Sequence, residues 1–213
     1  NTADSNQITN CQLLGSAGST STNRNNIVFS YSSTTYSGTG NSGNYNTIKN
    51  NIIRGGYIGL SQYATTSSSS STGTTGMWIE NNEFYRCYYG MYFRGSSNKK
   101  IIGNKVDTDG YMTFYNYYSN ADSVVRNILN TESSAYYNMY NYFNNYYGAS
   151  STDTSYFINN MISNGGTYNL ISYYNYRCLW YNNSFSSGAS YTAYFVYPYY
   201  SEFKNNTFQN TSS

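Results

Sequence analysis

The chain contains no histidine. That removes the commonest general acid–base side chain and the commonest metal ligand from any mechanism it could run. Charge is scarce as well: 11 Lys and Arg against 9 Asp and Glu leave a net charge of +2, with 9% of residues charged. So weak and balanced a charge does not imply nucleic acid or an acidic membrane surface, and neither is expected as a partner. No apolar run approaches the ~18 residues of a membrane-spanning helix. There is a single proline, Pro198, placed where an interrupted or edge strand would tolerate it. Three cysteines, Cys11, Cys87 and Cys178, fall at different positions of the repeat described below. No disulfide is expected among them, and without histidine no metal site is expected either. Neither an initiator methionine nor a signal-peptide pattern opens the chain.

What is abundant is tyrosine, 30 residues, together with much Asn, Ser and Gly. That composition alone would suit a disordered low-complexity tract. The large apolar residues argue otherwise, because they recur at fixed positions and so can be buried together. The unit is apolar-x-x-Asn-x-apolar. It reads Ile48-Lys49-Asn50-Asn51-Ile52-Ile53, then Ile79-Glu80-Asn81-Asn82-Glu83-Phe84, then Ile101-Ile102-Gly103-Asn104-Lys105-Val106. It returns around Asn127, Asn160, Asn183 and Asn206, and an earlier copy carries Cys11 in the Asn position. Asn82 to Asn104 is 22 residues; Asn104 to Asn127, Asn160 to Asn183 and Asn183 to Asn206 are each 23. Longer intervals of 40, 31 and 33 residues hold insertions rich in Ser, Thr and Gly, at 32–43, 65–75 and 146–154.

A second apolar unit follows each Asn unit. Its copies are Tyr57-Ile58-Gly59-Leu60, Tyr88-Tyr89-Gly90-Met91, Tyr111-Met112-Thr113-Phe114, Tyr136-Tyr137-Asn138-Met139, Thr167-Tyr168-Asn169-Leu170 and Tyr191-Thr192-Ala193-Tyr194. The pattern is that of short half-buried strands, and no segment sustains a helical apolar stripe. A short repeat holding two or three strands predicts a solenoid. The fold expected is all-β: one parallel β-helix domain spanning 1–213, of about eight coils with loop insertions. At about 4.8 Å per coil it would be a rod about 40 Å long. Because repeats begin and end close to the two termini, the chain is expected to be a segment of a longer protein. Asn51, Asn82, Asn104, Asn127, Asn160, Asn183 and Asn206 are expected to form a structural ladder. Asn tolerates the left-handed backbone of a sharp turn, and stacked amides can bond to one another.

The N-N-x-[IF] units at Asn50-Asn51, Asn81-Asn82, Asn159-Asn160, Asn182-Asn183 and Asn205-Asn206, with the G-[LM] units at Gly59-Leu60 and Gly90-Met91, resemble a known family. They are similar to the right-handed parallel β-helix repeats of the pectin-lyase-like superfamily. The Tyr-rich variant, as in Tyr88-Tyr89-Gly90-Met91-Tyr92-Phe93, resembles large secreted bacterial β-helix proteins. The resemblance implies the right-handed fold and an extracellular or cell-surface setting. It leaves function open, since the superfamily spans polysaccharide lyases, glycoside hydrolases, tailspikes and adhesins.

A hydrolase needs two carboxylates facing each other across the bond to be cleaved. The Asp-Asp pair, His-Gly and Arg-x-Lys that the resemblance would supply to a polygalacturonase are absent. A lyase needs a base and commonly a Ca²⁺ held by acidic oxygens, so Ca²⁺ enters only on that alternative and no cofactor is otherwise expected. The best charged constellation is Arg86, Asp107, Asp109 and Glu132, expected with Arg54 along one edge, with Arg86 as base and Asp109 and Glu132 as Ca²⁺ ligands. The competing reading is a solvated ladder of opposite charges. Lys49 and Glu80 read the same way. Tyr57, Tyr88, Tyr111, Tyr136 and Tyr191 are expected to stack into a stripe, either structural or a surface for sugar rings. The role expected is a non-catalytic module for adhesion, carbohydrate contact or filament building. Its partner would be a polysaccharide or surface glycan, or a second copy stacked end to end. A polysaccharide lyase or hydrolase and a self-assembling fibre subunit are the alternatives.

Overall fold

The computed structural model describes residues 4–32, 34–64, 73–131, 136–146, 152–187 and 190–210. Glu132 and the centres of two expected insertions, 65–72 and 147–151, lie outside the described residues. The described chain is all-β, without helix. Its strands form two large parallel sheets. One has eight short strands taken in chain order: Gln7–Thr9, Thr47–Lys49, Trp78–Glu80, Lys100–Ile102, Ser123–Val125, Ser155–Ile158, Cys178–Tyr181 and Glu202–Lys204. The other has thirteen strands and begins each time just past the Asn, as in Ile52–Arg54, Glu83–Arg94, Lys105–Tyr117 and Ile128–Thr131. A further small sheet pairs Thr74–Thr75 with Ser96–Ser97.

The apolar template positions become continuous columns because the pairing register keeps the repeat in phase. Ile48, Ile79, Ile101, Val124, Phe157 and Trp180 lie opposite one another in turn. So do Ile53, Phe84, Val106, Leu129, Ile162 and Phe185. Leu60, Met91, Phe114, Met139 and Leu170 make the third column. All of these are buried and belong to one cluster. At ~1.5–3 kcal/mol for each large side chain removed from water, these columns are the main source of stability.

The Asn column lies at the corner between the two sheets. The backbone N–H and the amide Nδ2 of Asn51 both donate to Asn82 Oδ1, at 3.0 and 2.9 Å. The same two-donor contact links Asn82 to Asn104, Asn104 to Asn127, Asn127 to Asn160, Asn160 to Asn183 and Asn183 to Asn206. Each amide also donates to a main-chain carbonyl of the repeat before, such as Asn104 Nδ2 to Ile79 O at 3.0 Å. Cys11 breaks the column only at its side chain, since its N–H still donates to Asn51 Oδ1 at 2.9 Å.

The turn itself sits one residue earlier than expected. The left-handed residues are Asn10, Asn50, Asn81, Gly103, Arg126, Asn159, Asn182 and Asn205, with φ between 52° and 64°. The ladder Asn residues keep negative φ, so the first Asn of each N-N pair makes the turn and the second makes the ladder. The two duties separate because the left-handed residue points its side chain away, while the next residue's amide reaches the neighbouring chain. Among the described residues no helix is long and apolar enough to cross a membrane.

Candidate functional site

The outer surface of the larger sheet is paved with tyrosine. Tyr57, Tyr88, Tyr111 and Tyr136 stack in sequence, with ring centroids 5.4, 6.1 and 6.2 Å apart and interplanar angles of 13°, 24° and 6°. Tyr191 does not continue this column. It pairs in register with Tyr168 and stacks on it at 5.0 Å, while Ala193 takes the core position opposite Leu170. The sequence alignment at that strand is therefore one residue out, and a slip of one moves every side chain into the next column.

A further column was not foreseen. Tyr92, Tyr115 and Tyr140, each following a core residue, stack at 4.4 and 5.3 Å with planes within 8°. Its signal in the sequence was the tyrosine directly after Met91, Phe114 and Met139. Between the two columns lies a shallow groove of about 380 Å³. Tyr111 borders it on one side and Tyr92, Tyr115 and Tyr140 on the other, with Tyr89, Met112 and Tyr137 between. Burial pushes the phenols of Tyr92 and Tyr137 up to about 12. Tyr89, Tyr115 and Tyr140 rise further for the same reason, reinforced by neighbouring phenols. At neutral pH the groove is thus lined by protonated hydroxyls, each able to donate and to accept.

Beside this face lies a second pocket of about 440 Å³, lined by Thr22, Asn23, Asn25, Ser30, Ser32 and Thr34 with Val28, Thr35 and Tyr36. Tyr36 joins the two, its ring 6.0 Å from both Tyr57 and Tyr92. Neither lining includes a charged residue.

The charged constellation takes a different form from the one expected. Arg54 lies opposite Tyr85, which lies opposite Asp107. Arg86 is a left-handed residue, φ 55°, where the register of its strand shifts, and it is not the counterpart of Arg54. Its Nε donates to Asp109 Oδ2 at 3.1 Å. Asp107 instead accepts from Asn130 Nδ2 at 3.0 Å. Arg86 and Asp109 are brought together, Asp107 is given a separate partner, and Glu132 lies outside the described residues. Among the described residues no three His, Cys, Asp or Glu gather where they could hold a metal ion. Lys49 and Glu80 pair at 3.0 Å.

One ion pair went unnoticed in the sequence. Lys99 Nζ and Asp122 Oδ2 are 2.9 Å apart and both side chains are fully buried. Lys99 also donates to Ser96 Oγ and Ser119 Oγ, both at 2.9 Å, and Asp122 accepts from the Lys99 N–H and from Asn116 Nδ2, both at 3.1 Å. Burial pulls the Lys99 ammonium below the usual lysine range, and Asp122 partly offsets it. The two residues are 23 apart, one repeat interval, and that spacing was the signal available. Cys87 and Cys178 are buried free thiols and Cys11 is an exposed one. No protein-family model, no curated protein and no solved structure matches this chain.

Proposed function

We propose that the chain is a non-catalytic carbohydrate-contact module, built on a right-handed parallel β-helix of about eight coils and working outside the cell or on its surface. The fold part of this reading draws on the chain-ordered parallel pairing of both sheets and on the resemblance of the N-N-x-[IF] units to pectin-lyase-like repeats. The observation that carries the binding part is the groove between Tyr111 and Tyr115, with its protonated phenols and its lack of charge. Sugar rings offer apolar C–H faces and a hydroxyl rim. Rigid aromatic rings and neutral hydroxyls meet both at low entropic cost. The hydroxyl- and amide-lined pocket next to Tyr36 extends the same chemistry.

Electrophoresis through gels holding neutral polysaccharides tests it. Retardation by at least one of them, with no reducing sugar released, is the expected result. Migration unchanged in every gel would overturn the reading. Release of unsaturated oligosaccharides that stops in Arg86→Ala or Asp109→Asn would replace it with the lyase alternative.

A further inference from the structure

The tyrosine column through Tyr89, Tyr137, Tyr168 and Tyr191 has one interruption. Met112 lies opposite Tyr89. Tyr137 holds the same position one strand on, because Phe114 and Met139, each two residues further along, are register partners. Tyr137 then meets Tyr168, and Tyr168 meets Tyr191. Where rings occupy successive positions they stack, at 5.5 and 5.0 Å. At Met112 the ring is replaced by a flexible thioether, 3% exposed, that lines the groove.

The vacancy has a definite size. Tyr89 and Tyr137 are two strand spacings apart, about 9.6 Å. A six-membered ring set midway would lie about 4.8 Å from each, within the range of about 4.5–7 Å at which rings pack. Both rings also stand across their neighbours in the same sense. Tyr89 is at 75° to Tyr88 and 85° to Tyr92, and Tyr137 is at 78° to Tyr136 and 65° to Tyr140. The slot is therefore bounded alike at its two ends.

We propose that this vacancy seats one pyranose ring of a neutral polysaccharide, held between Tyr89 and Tyr137 over Met112, with its hydroxyls toward Tyr111 and Tyr115. This rests on the carbohydrate reading above and assigns the subsite within it. Neutrality follows from the lining. A uronate would bring a carboxylate into a site with no cation to receive it, at the desolvation cost of an unpaired charge. The phenols, held protonated, match hydroxyls that also both donate and accept.

Calorimetric titration of the full chain tests the subsite, with cellohexaose, mannohexaose and xylohexaose as neutral probes. Hexagalacturonate serves as the acidic probe and N-acetyltyrosine amide as a free aromatic ring. Met112→Tyr completes the column and fills the slot. It should lower affinity for the bound hexaose at least tenfold while leaving the circular dichroism spectrum unchanged. Tyr89→Ala, which removes one face, should do the same and serves if Met112→Tyr does not fold. Tyr156→Ala, on the other sheet, should bind as the parent does. Undiminished binding by folded Met112→Tyr or Tyr89→Ala would overturn the subsite and leave the carbohydrate reading standing. Binding of no neutral hexaose would remove that reading itself. Hexagalacturonate bound as tightly as the neutral probes would overturn neutrality. N-acetyltyrosine amide bound alone, and lost in Met112→Tyr, would overturn the sugar in favour of an aromatic ring.

Discussion

At the residue scale, the ladder makes single amides costly to lose. The Asn127 side chain accepts from the N–H and Nδ2 of Asn104 and donates to Ile101 O, Val125 O and Asn160 Oδ1. Asn127→Ala orphans several buried groups at ~1–3 kcal/mol each, so a loss of about 3 kcal/mol or more is expected. For a chain of this length that lowers Tm by about 6–12 °C in thermal melts. Asn206→Ala, at the last rung, should cost less, because its partners are only partly buried. Equal losses at the two rungs would contradict the ladder account. Lys99→Met isolates Asp122 in a fully buried site and should cost ~3–5 kcal/mol by denaturant titration. A loss under about 1 kcal/mol, the worth of an exposed pair, would mean that water reaches the site. The ladder was legible because it recurs seven times. The Lys99–Asp122 pair was not, because it occurs once, in a column that elsewhere holds Asn46, Met77, Ser155 and Cys178.

At the element scale, the tyrosine columns tie the strands to pH. An unfolded phenol titrates near pH 10, whereas Tyr92 and Tyr137 in the folded chain are pushed up to about 12, chiefly by burial. Between these values the folded chain holds more protons than the unfolded one, so stability falls as pH rises. The stabilisation is complete below about pH 10 and is lost as pH climbs through the folded values. The buried Cys87 thiol, also raised to about 12, acts in the same direction. Phenolate absorbance should therefore rise together with the loss of β circular dichroism. A smooth titration near pH 10 with the β signal intact would show the columns to be solvated. These columns were legible in part. Four tyrosines of the expected stripe do stack, since they share one position of the repeat. Tyr191 was misplaced because its strand carries Ala193 where others carry a large core residue, so the eye aligned Tyr194 instead. The groove was illegible for a different reason. It is created by one methionine in a run of tyrosines, and an absence in a column becomes visible only once the register is known.

At the scale of the whole molecule, scarce charge decides how binding should respond to its surroundings. Nine per cent of residues are charged, and neither the Tyr groove nor the adjoining pocket contains one. The ion pairs that were traced lie apart from that lining: Lys49–Glu80, Arg86–Asp109 and Lys99–Asp122. A ligand held by ion pairs loses affinity as the screening length shrinks from ~30 Å at 0.01 M salt to ~3 Å at 1 M. A neutral glycan packed on aromatic rings and bonded to phenols has no such dependence. Its dissociation constant should stay within about twofold across that range. Saturation at about 100 times that constant should stabilise the folded chain by about 2.7 kcal/mol. The resulting rise in Tm, about 5–10 °C, should be the same at both salt concentrations. A rise that disappears in high salt would place the ligand on the exposed charges near Arg86 instead. That outcome would return the Arg86–Asp109 edge to the centre of the functional question.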